Sequence, residues 1–221
     1  MNNELKKRIL SSIILIPIIL IIIINGSFIF NLFLTICFAR ILYEWHMMIK
    51  NKYYYYLGIF FLIFSFYTIY KTYNLNNNHS DFLFVLLICI STDIGGFVFG
   101  KLFKGPKLTS ISPNKTYSGA IGGYMFSILT VTFFFKFSLL SPNKIDTLIN
   151  IYVMIILIST VSQLGDILIS YFKRLSNIKD TGKIIPGHGG LLDRADGMIF
   201  AFPFSYTILS ANFNFFIRKI K

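Results

Sequence analysis

Long apolar runs separated by short polar segments dominate the chain. Seven runs approach the length a helix needs to cross the hydrocarbon core of a bilayer, which is ~20 residues. They span residues 9–24, 27–43, 53–70, 82–100, 117–140, 147–169 and 197–217. The pattern predicts an all-α fold, a polytopic integral membrane helix bundle with about seven transmembrane helices.

Composition and charge agree with a membrane location. Hydrophobic residues make up 55% of the chain and charged residues 14%, whereas a soluble domain carries about 25% charged residues. The net charge of +12 comes from basic residues in short clusters between the apolar runs, as orientation signals do. We therefore expect no nucleic-acid partner. Cys37 and Cys89 lie inside apolar runs and are interpreted as packing residues.

The basic residues also predict the orientation of the helices. Alternate loops on one side carry most of the Lys and Arg residues, while Lys71 and Lys144 lie on the other side. The basic side is expected to be cytoplasmic, and it includes the loops 101–116 and 170–196. With seven spans the basic C-terminal tail would lie on the opposite side, so the span count and the side of the C-terminus stay open.

Pairs of glycines four residues apart predict close helix packing. Gly96 and Gly100 form one pair, and Gly119 and Gly123 form the other. Small residues at this spacing allow two helix backbones to approach each other in a membrane.

Two aspartates interrupt apolar runs, and a charged side chain near the bilayer centre needs a partner or water. Asp93 fits either a hydrogen bond between helices or a functional group. Asp166 lies four residues from both Ser162 and Ser170, so the three share one helical face. This polar face leads towards Lys173, and it predicts the wall of a water-filled cavity that would hold phosphates and metal ions.

The start of the last apolar run carries two more aspartates. Asp193 and Asp196 are three residues apart, so their carboxylates face the same way on a helix. Together with Asp166 they would provide the hard oxygen ligands that Mg²⁺ prefers. Arg194 points to another face, where it could bind phosphate. The predicted metal ligands are Asp166, Asp193 and Asp196.

A glycine-rich turn, PGHGG at residues 186–190, precedes these aspartates. Glycine lets the backbone come close to a ligand, and successive N–H groups in such a turn make an anion-binding concavity. His188 could donate to a phosphate oxygen. Nearby basic residues add positive charge, although topology alone would explain Lys183. The parts together predict a magnesium–polyphosphate site at the cytoplasmic surface.

The run SYFKRLSNIKDTGKIIPGHGGLLDRADG, Ser170 to Gly197, resembles the signature of the phosphatidate cytidylyltransferases, or CDP-diacylglycerol synthases. A second block, residues 92–123, is similar to the upstream region of that family. It departs from the family pattern at Ile94, Tyr117 and Ser118, where threonine, tryptophan and glutamate are expected. The resemblance implies transfer of CMP from CTP to phosphatidate, giving CDP-diacylglycerol and pyrophosphate.

The resemblance also divides the chain. It covers roughly residues 85–200, so we expect residues 1–80 to form N-terminal transmembrane helices of a variable part and residues 81–221 to form the catalytic region. It implies a homodimer in a bacterial inner (cytoplasmic) membrane, with the active site on the cytoplasmic side. Mg²⁺ is the expected cofactor, and a second cation, monovalent or divalent, is left open.

The site hypothesis gives each polar residue a role. The three aspartates named above hold the metal, and Asp180 orients a lysine or a metal-bound water. The residues expected to bind the triphosphate or the lipid phosphate are Lys173, Arg174, Lys179, His188 and Arg194.

Two other functions fit parts of the pattern. A CDP-alcohol phosphotransferase also uses aspartates and a CDP-lipid, but its longer aspartate pattern is not found in this sequence. An ion or proton transporter could use Asp93 and Asp166 as relays, but it would leave the glycine–histidine turn and the basic loop unexplained.

Overall fold

The computed structural model describes residues 21–23, 27–50, 52–75, 79–113, 115–136, 148–182, 184 and 189–210. The elements that these residues form are α-helices, and an antiparallel bridge joins Lys107 to Thr116 within a loop. The predicted all-α fold class is confirmed.

Six helices have defined bounds within the described residues. They are α1 Ser27–Ile49, α2 Tyr55–Tyr73, α3 Ser80–Phe103, α4 Tyr117–Lys136, α5 Leu148–Leu175 and α6 Leu192–Ser210. Each predicted run from residue 27 onwards overlaps one of these helices. Residues 21–23, at the end of the first predicted run, are also helical, and the rest of that run lies outside the described residues.

Four helices of the described part are long and apolar enough to cross a bilayer. The segments are Phe28–Ile49, Ser80–Phe103, Tyr117–Lys136 and Asn150–Leu175. Large apolar side chains stand exposed on these helices, for example Phe28 at 80% and Leu129 at 62%. Apolar surface of this kind suits contact with lipid. The protein is an integral membrane protein.

The described helices group into two units that interleave along the chain. The first comprises Met1–Phe66 and Phe172–Ala195, and the second comprises Tyr67–Tyr171 and Asp196–Lys221. The first unit therefore joins the N-terminal helices to the charged segment after α5. The predicted division near residue 80 is a different kind of boundary, because it separates a variable from a catalytic part of the sequence. It stays a prediction.

The core of the second unit forms along α3 and α5. Phe84 and Ile88 are four residues apart on one face of α3, and both are fully buried. Met154 and Ile158 have the same spacing on α5 and are also fully buried. Between the two helices the Thr92 hydroxyl donates to Ser159 Oγ at 2.9 Å, a polar contact of the kind that joins helices in membranes.

The predicted glycine packing is present where α3 meets α4. A Cβ placed on Gly119 would lie 2.7 Å from the carbonyl oxygen of Gly96, and one on Gly95 would lie 2.6 Å from that of Gly122. Because the obstructing atoms belong to the backbone, the two helices would have to move apart to admit a side chain.

We expect Gly119→Ala to destabilise the protein and Gly96→Ala to be tolerated. The first places a methyl group against backbone, an overpacking that costs about 1–3 kcal/mol. The second is the matched control, because a Cβ there meets its nearest atom at 3.7 Å, and alanine favours the helix by up to about 1 kcal/mol. Thermal unfolding of both variants in detergent checks this, and equal midpoints would contradict the close packing.

Candidate active site

Asp193 holds the charged segment of the first unit in shape. Its Oδ1 accepts from Lys173 Nζ at 2.9 Å. Its Oδ2 accepts from the backbone N–H of Thr181 at 2.8 Å and from that of Gly190 at 2.9 Å. The bond that Gly190 donates to Asp193 joins the residue before the N-cap to the first turn of α6. One carboxylate thus ties the end of α5, Thr181, Gly190 and the first turn of α6 together.

These bonds keep Asp193 ionised. Burial raises the pKa of this carboxyl, but the hydrogen bond and charge of Lys173, with the backbone N–H groups of Gly190 and Thr181, outweigh it. The net effect lowers the pKa of Asp193 below its ordinary value of 3.8. At neutral pH the segment therefore contains a paired carboxylate and ammonium.

Gly189 is required for the turn beside Asp193. Its φ is 86°, in the left-handed region that favours glycine. A Cβ there would also lie 2.8 Å from Asp193 Oδ2. Lys183 and His188, two residues of the predicted anion site, lie outside the described residues, so the role of His188 stays a prediction.

The remaining charged residues of this segment are on its surface. The exposed side chains are Arg174, Lys179, Asp180 and Arg194. Arg174 Nη1 donates to the carbonyl oxygen of Ile178 at 3.4 Å, near the end of α5. Their exposure and their mostly positive charge suit an anionic ligand.

Sequence reasoning missed Glu44, which belongs to the same unit. Its side chain is 1% exposed, and it accepts from the backbone N–H of Leu192 at 2.8 Å and from the Thr181 hydroxyl at 2.9 Å. The predicted span stopped at residue 43, whereas α1 continues to Ile49. An ionisable residue inside a membrane helix is the signal that would have drawn attention to it.

Asp166 lies in the second unit and forms a salt bridge with Lys115. The polar stripe predicted around it is largely covered, because Ser162 and Ser170 are 1% and 8% exposed. Asp196 is also buried, and its Oδ1 accepts from the backbone N–H of Gly197 at 3.0 Å. Lys115, which sequence reasoning left among the topology signals, is therefore the residue that neutralises Asp166.

The described side chains do not form the expected metal cluster. Among them, no group of three or more His, Cys, Asp or Glu residues could hold a metal ion. Asp193 already accepts three hydrogen bonds from the protein, and Asp166 already has an ammonium partner. To hold a metal ion, these two aspartates would have to give up or share these partners. Binding of Mg²⁺ by Asp166, Asp193 and Asp196 stays a prediction, and we assign no reaction step to a metal.

The structure thus defines a class: it is a helical membrane protein, and the charged residues of its candidate site cluster after α5. Comparison with known proteins adds the family. The sequence profile of the family described as "Cytidylyltransferase family" matches residues 6–81 and 54–212. The chain belongs to the cytidylyltransferase family.

Individual relatives carry a more specific name. The chain is 34% identical to the phosphatidate cytidylyltransferase of Rickettsia bellii over 212 residues, covering 94% of this chain and 91% of the relative. For the phosphatidate cytidylyltransferase of Rickettsia felis the identity is 33%, covering 94% and 93%. The phosphatidate cytidylyltransferase of Staphylococcus epidermidis is 41% identical over 131 residues, covering 58% of this chain and 48% of that protein.

We expect the stabilising effect of the Asp193 carboxylate to persist into acid. Since its pKa is lowered on folding, its contribution is present above the ordinary carboxyl range of about 4 and is lost as pH falls through the lower, folded value. Thermal unfolding of wild type and Asp193→Asn in detergent should therefore show a constant difference from about pH 7 to pH 5, and a shrinking difference below about pH 4. A difference that disappears by about pH 6 would contradict the lowered pKa.

Proposed function

We propose that this protein is a phosphatidate cytidylyltransferase, which transfers CMP from CTP to phosphatidate and releases pyrophosphate. The observation that carries the proposal is the similarity to the Rickettsia bellii enzyme of that name, which extends over 94% of the chain. The structure adds support, because the segment resembling the family signature carries exposed positive charge beside an ordered ion pair.

The reaction requires charge neutralisation more than proton transfer. An oxygen of the lipid phosphate attacks the α-phosphorus of CTP and forms a new P–O bond. The bond from that phosphorus to the bridging oxygen breaks, and pyrophosphate leaves with the electron pair. The attacking group is already an anion and needs no strong base. Positioning and electrostatic stabilisation therefore supply most of the catalysis.

The basic side chains are assigned to the two anionic substrates. Arg174, Lys179 and Arg194 are exposed and would contact phosphate oxygens, with His188 as a further donor. Lys173 is held by Asp193 at 2.9 Å, so its first role is to order the segment. Asp180 is exposed, and we assign it the orientation of a neighbouring lysine.

We further propose dependence on a divalent cation, with Mg²⁺ the expected ion and a second cation left open. The support is chemical: two polyanions must meet, and the aspartates of the signature offer hard oxygen ligands. We also propose an active site on the cytoplasmic side of a bacterial inner membrane, because basic residues concentrate in loops of one side. A homodimer is proposed from the family resemblance.

Purified protein with CTP, Mg²⁺ and phosphatidate should release pyrophosphate and form CDP-diacylglycerol. Omitting phosphatidate should abolish the release, which excludes simple hydrolysis of CTP, and EDTA should abolish it if the cation is required. A CDP-alcohol phosphotransferase would instead consume a CDP-lipid and release CMP. Folded protein that leaves CTP unchanged in the presence of phosphatidate would refute the proposal.

Arg194→Lys should lower kcat/KM by about 10- to 100-fold, the effect of losing a charge-assisted hydrogen bond worth ~1.5–3 kcal/mol. The variant keeps the charge but loses the planar fork that grips phosphate through two bonds. Lys52→Arg is the control, a charge-conserving change at another exposed position of the same unit, and it should keep wild-type kcat/KM. Unchanged kinetics in Arg194→Lys would remove Arg194 from the site.

A further inference from the structure

Glu44 on α1 joins the N-terminal helices to the signature segment within the first unit. Its Oε1 accepts from Arg40 Nε at 3.1 Å and from the backbone N–H of Leu191 at 3.1 Å. Its Oε2 accepts from the Thr181 hydroxyl at 2.9 Å and from the backbone N–H of Leu192 at 2.8 Å. Both carboxylate oxygens are therefore engaged, and three of the four donors belong to the segment.

The segment is shaped around this carboxylate. A Cβ on Gly190 would lie 2.4 Å from Glu44 Oε2, and one on Gly182 would lie 2.8 Å from Oε1. Neither position has room for a side chain while Glu44 occupies its place. These two glycines of the signature are thus explained by contact with α1, in addition to any role near a ligand.

The start of α6 gives the contact a physical reason. The first N–H groups of a helix have no acceptor within it, and the positive end of the helix dipole attracts an anion. Leu191 and Leu192 present two such N–H groups, and Glu44 accepts both. An acidic side chain that is 1% exposed in a membrane helix needs such partners.

Glu44 and Asp193 both accept hydrogen bonds from Thr181 and from residues 190–192. Thr181 donates its backbone N–H to Asp193 and its hydroxyl to Glu44. Gly190 donates its backbone N–H to Asp193, and Leu191 and Leu192 donate theirs to Glu44. Displacing Glu44 would leave Thr181 and Gly190 with their backbone bonds to Asp193 but without the bonds that Thr181, Leu191 and Leu192 donate to Glu44.

A neighbouring contact connects the same helix to the end of α5. Trp45 packs edge-on against Phe172, with ring centroids 5.4 Å apart, and Tyr54 lies 5.1 Å from the same ring. Phe172 directly precedes Lys173. Helix α1 therefore contacts the end of α5 through Trp45 and the start of α6 through Glu44.

We propose that Glu44 is a positioning residue of the transferase. It fixes Thr181 and the first turn of α6, so that Asp193 and Lys173 keep one arrangement while substrates bind and react. The inference rests on the proposed function, because the enzyme assay is its test. It makes the N-terminal helices, which the sequence indicates only as membrane helices, part of the active-site structure.

The test compares Glu44→Gln, Glu44→Asp and wild type in the pyrophosphate-release assay at saturating CTP and phosphatidate. Glutamine keeps the size but replaces one acceptor oxygen with a donor, so kcat should fall about 10- to 100-fold, as expected when reacting groups are misplaced. Aspartate keeps the charge and both acceptors, so its kcat should lie between the two. The control is Thr35→Val on α1, whose hydroxyl donates within its own helix to the Asn31 carbonyl oxygen, and it should retain wild-type kcat.

Three further measurements separate positioning from simple loss of folded protein. Each kcat is normalised to the folded fraction from thermal unfolding. Hydrogen exchange of the Leu191 and Leu192 amides should be faster in Glu44→Gln. Thr181→Val removes the hydroxyl bond, and its effect on kcat should be less than additive with Glu44→Gln. Wild-type kcat per folded molecule in Glu44→Gln would overturn the inference, whereas an inactive wild type would instead overturn the proposed function.

Discussion

Carboxylates in apolar surroundings must be matched by donors, and this constraint organises the charged part of the protein. Removing an ionised group from water without partners is far more costly than any single packing contact. Asp193 meets the requirement with Lys173 and two backbone N–H groups. Glu44 meets it with a guanidinium, a hydroxyl and two backbone N–H groups. Because most of these donors lie in one segment, satisfying the two charges also fixes that segment.

In the second unit, side-chain pairs and close helix packing hold the helices together. Thr92 bonds to Ser159 between α3 and α5, Asp166 pairs with Lys115, and backbone atoms of α3 and α4 meet at glycines. Such contacts suit a lipid environment, where apolar association alone gives helices little reason to join. The Lys115 pairing shows that a basic residue counted as an orientation signal can also neutralise a membrane carboxylate.

The helices were predictable from the sequence because their signal is local. Each predicted run from residue 27 onwards overlaps a helix, since a helix that crosses the hydrocarbon core needs ~20 predominantly apolar residues in sequence. The pairing of Asp193 was only partly foreseeable: its importance followed from the signature, but its partner Lys173 lies twenty positions earlier in the chain. Glu44 was missed because its partners Thr181, Leu191 and Leu192 are more than 130 positions away, and no local spacing reports such contacts. The predicted metal set stays a prediction, and helical spacing did not foretell that Asp166 pairs with Lys115 or that Asp193 pairs with Lys173.

The glycines of the signature show that one motif can serve both the folding of a segment and its chemistry. Gly189 is needed for its left-handed backbone, whereas Gly182 and Gly190 are needed for the space that Glu44 fills. In a motif of this kind the spacing is fixed even at positions that do not touch a substrate. Each glycine is there for its own reason, either a left-handed backbone or the lack of room for a side chain. Its match to a family signature therefore reports a particular loop structure as well as a reaction. For this chain that structure includes a carboxylate from α1, so the N-terminal helices belong to the geometry that the motif encodes.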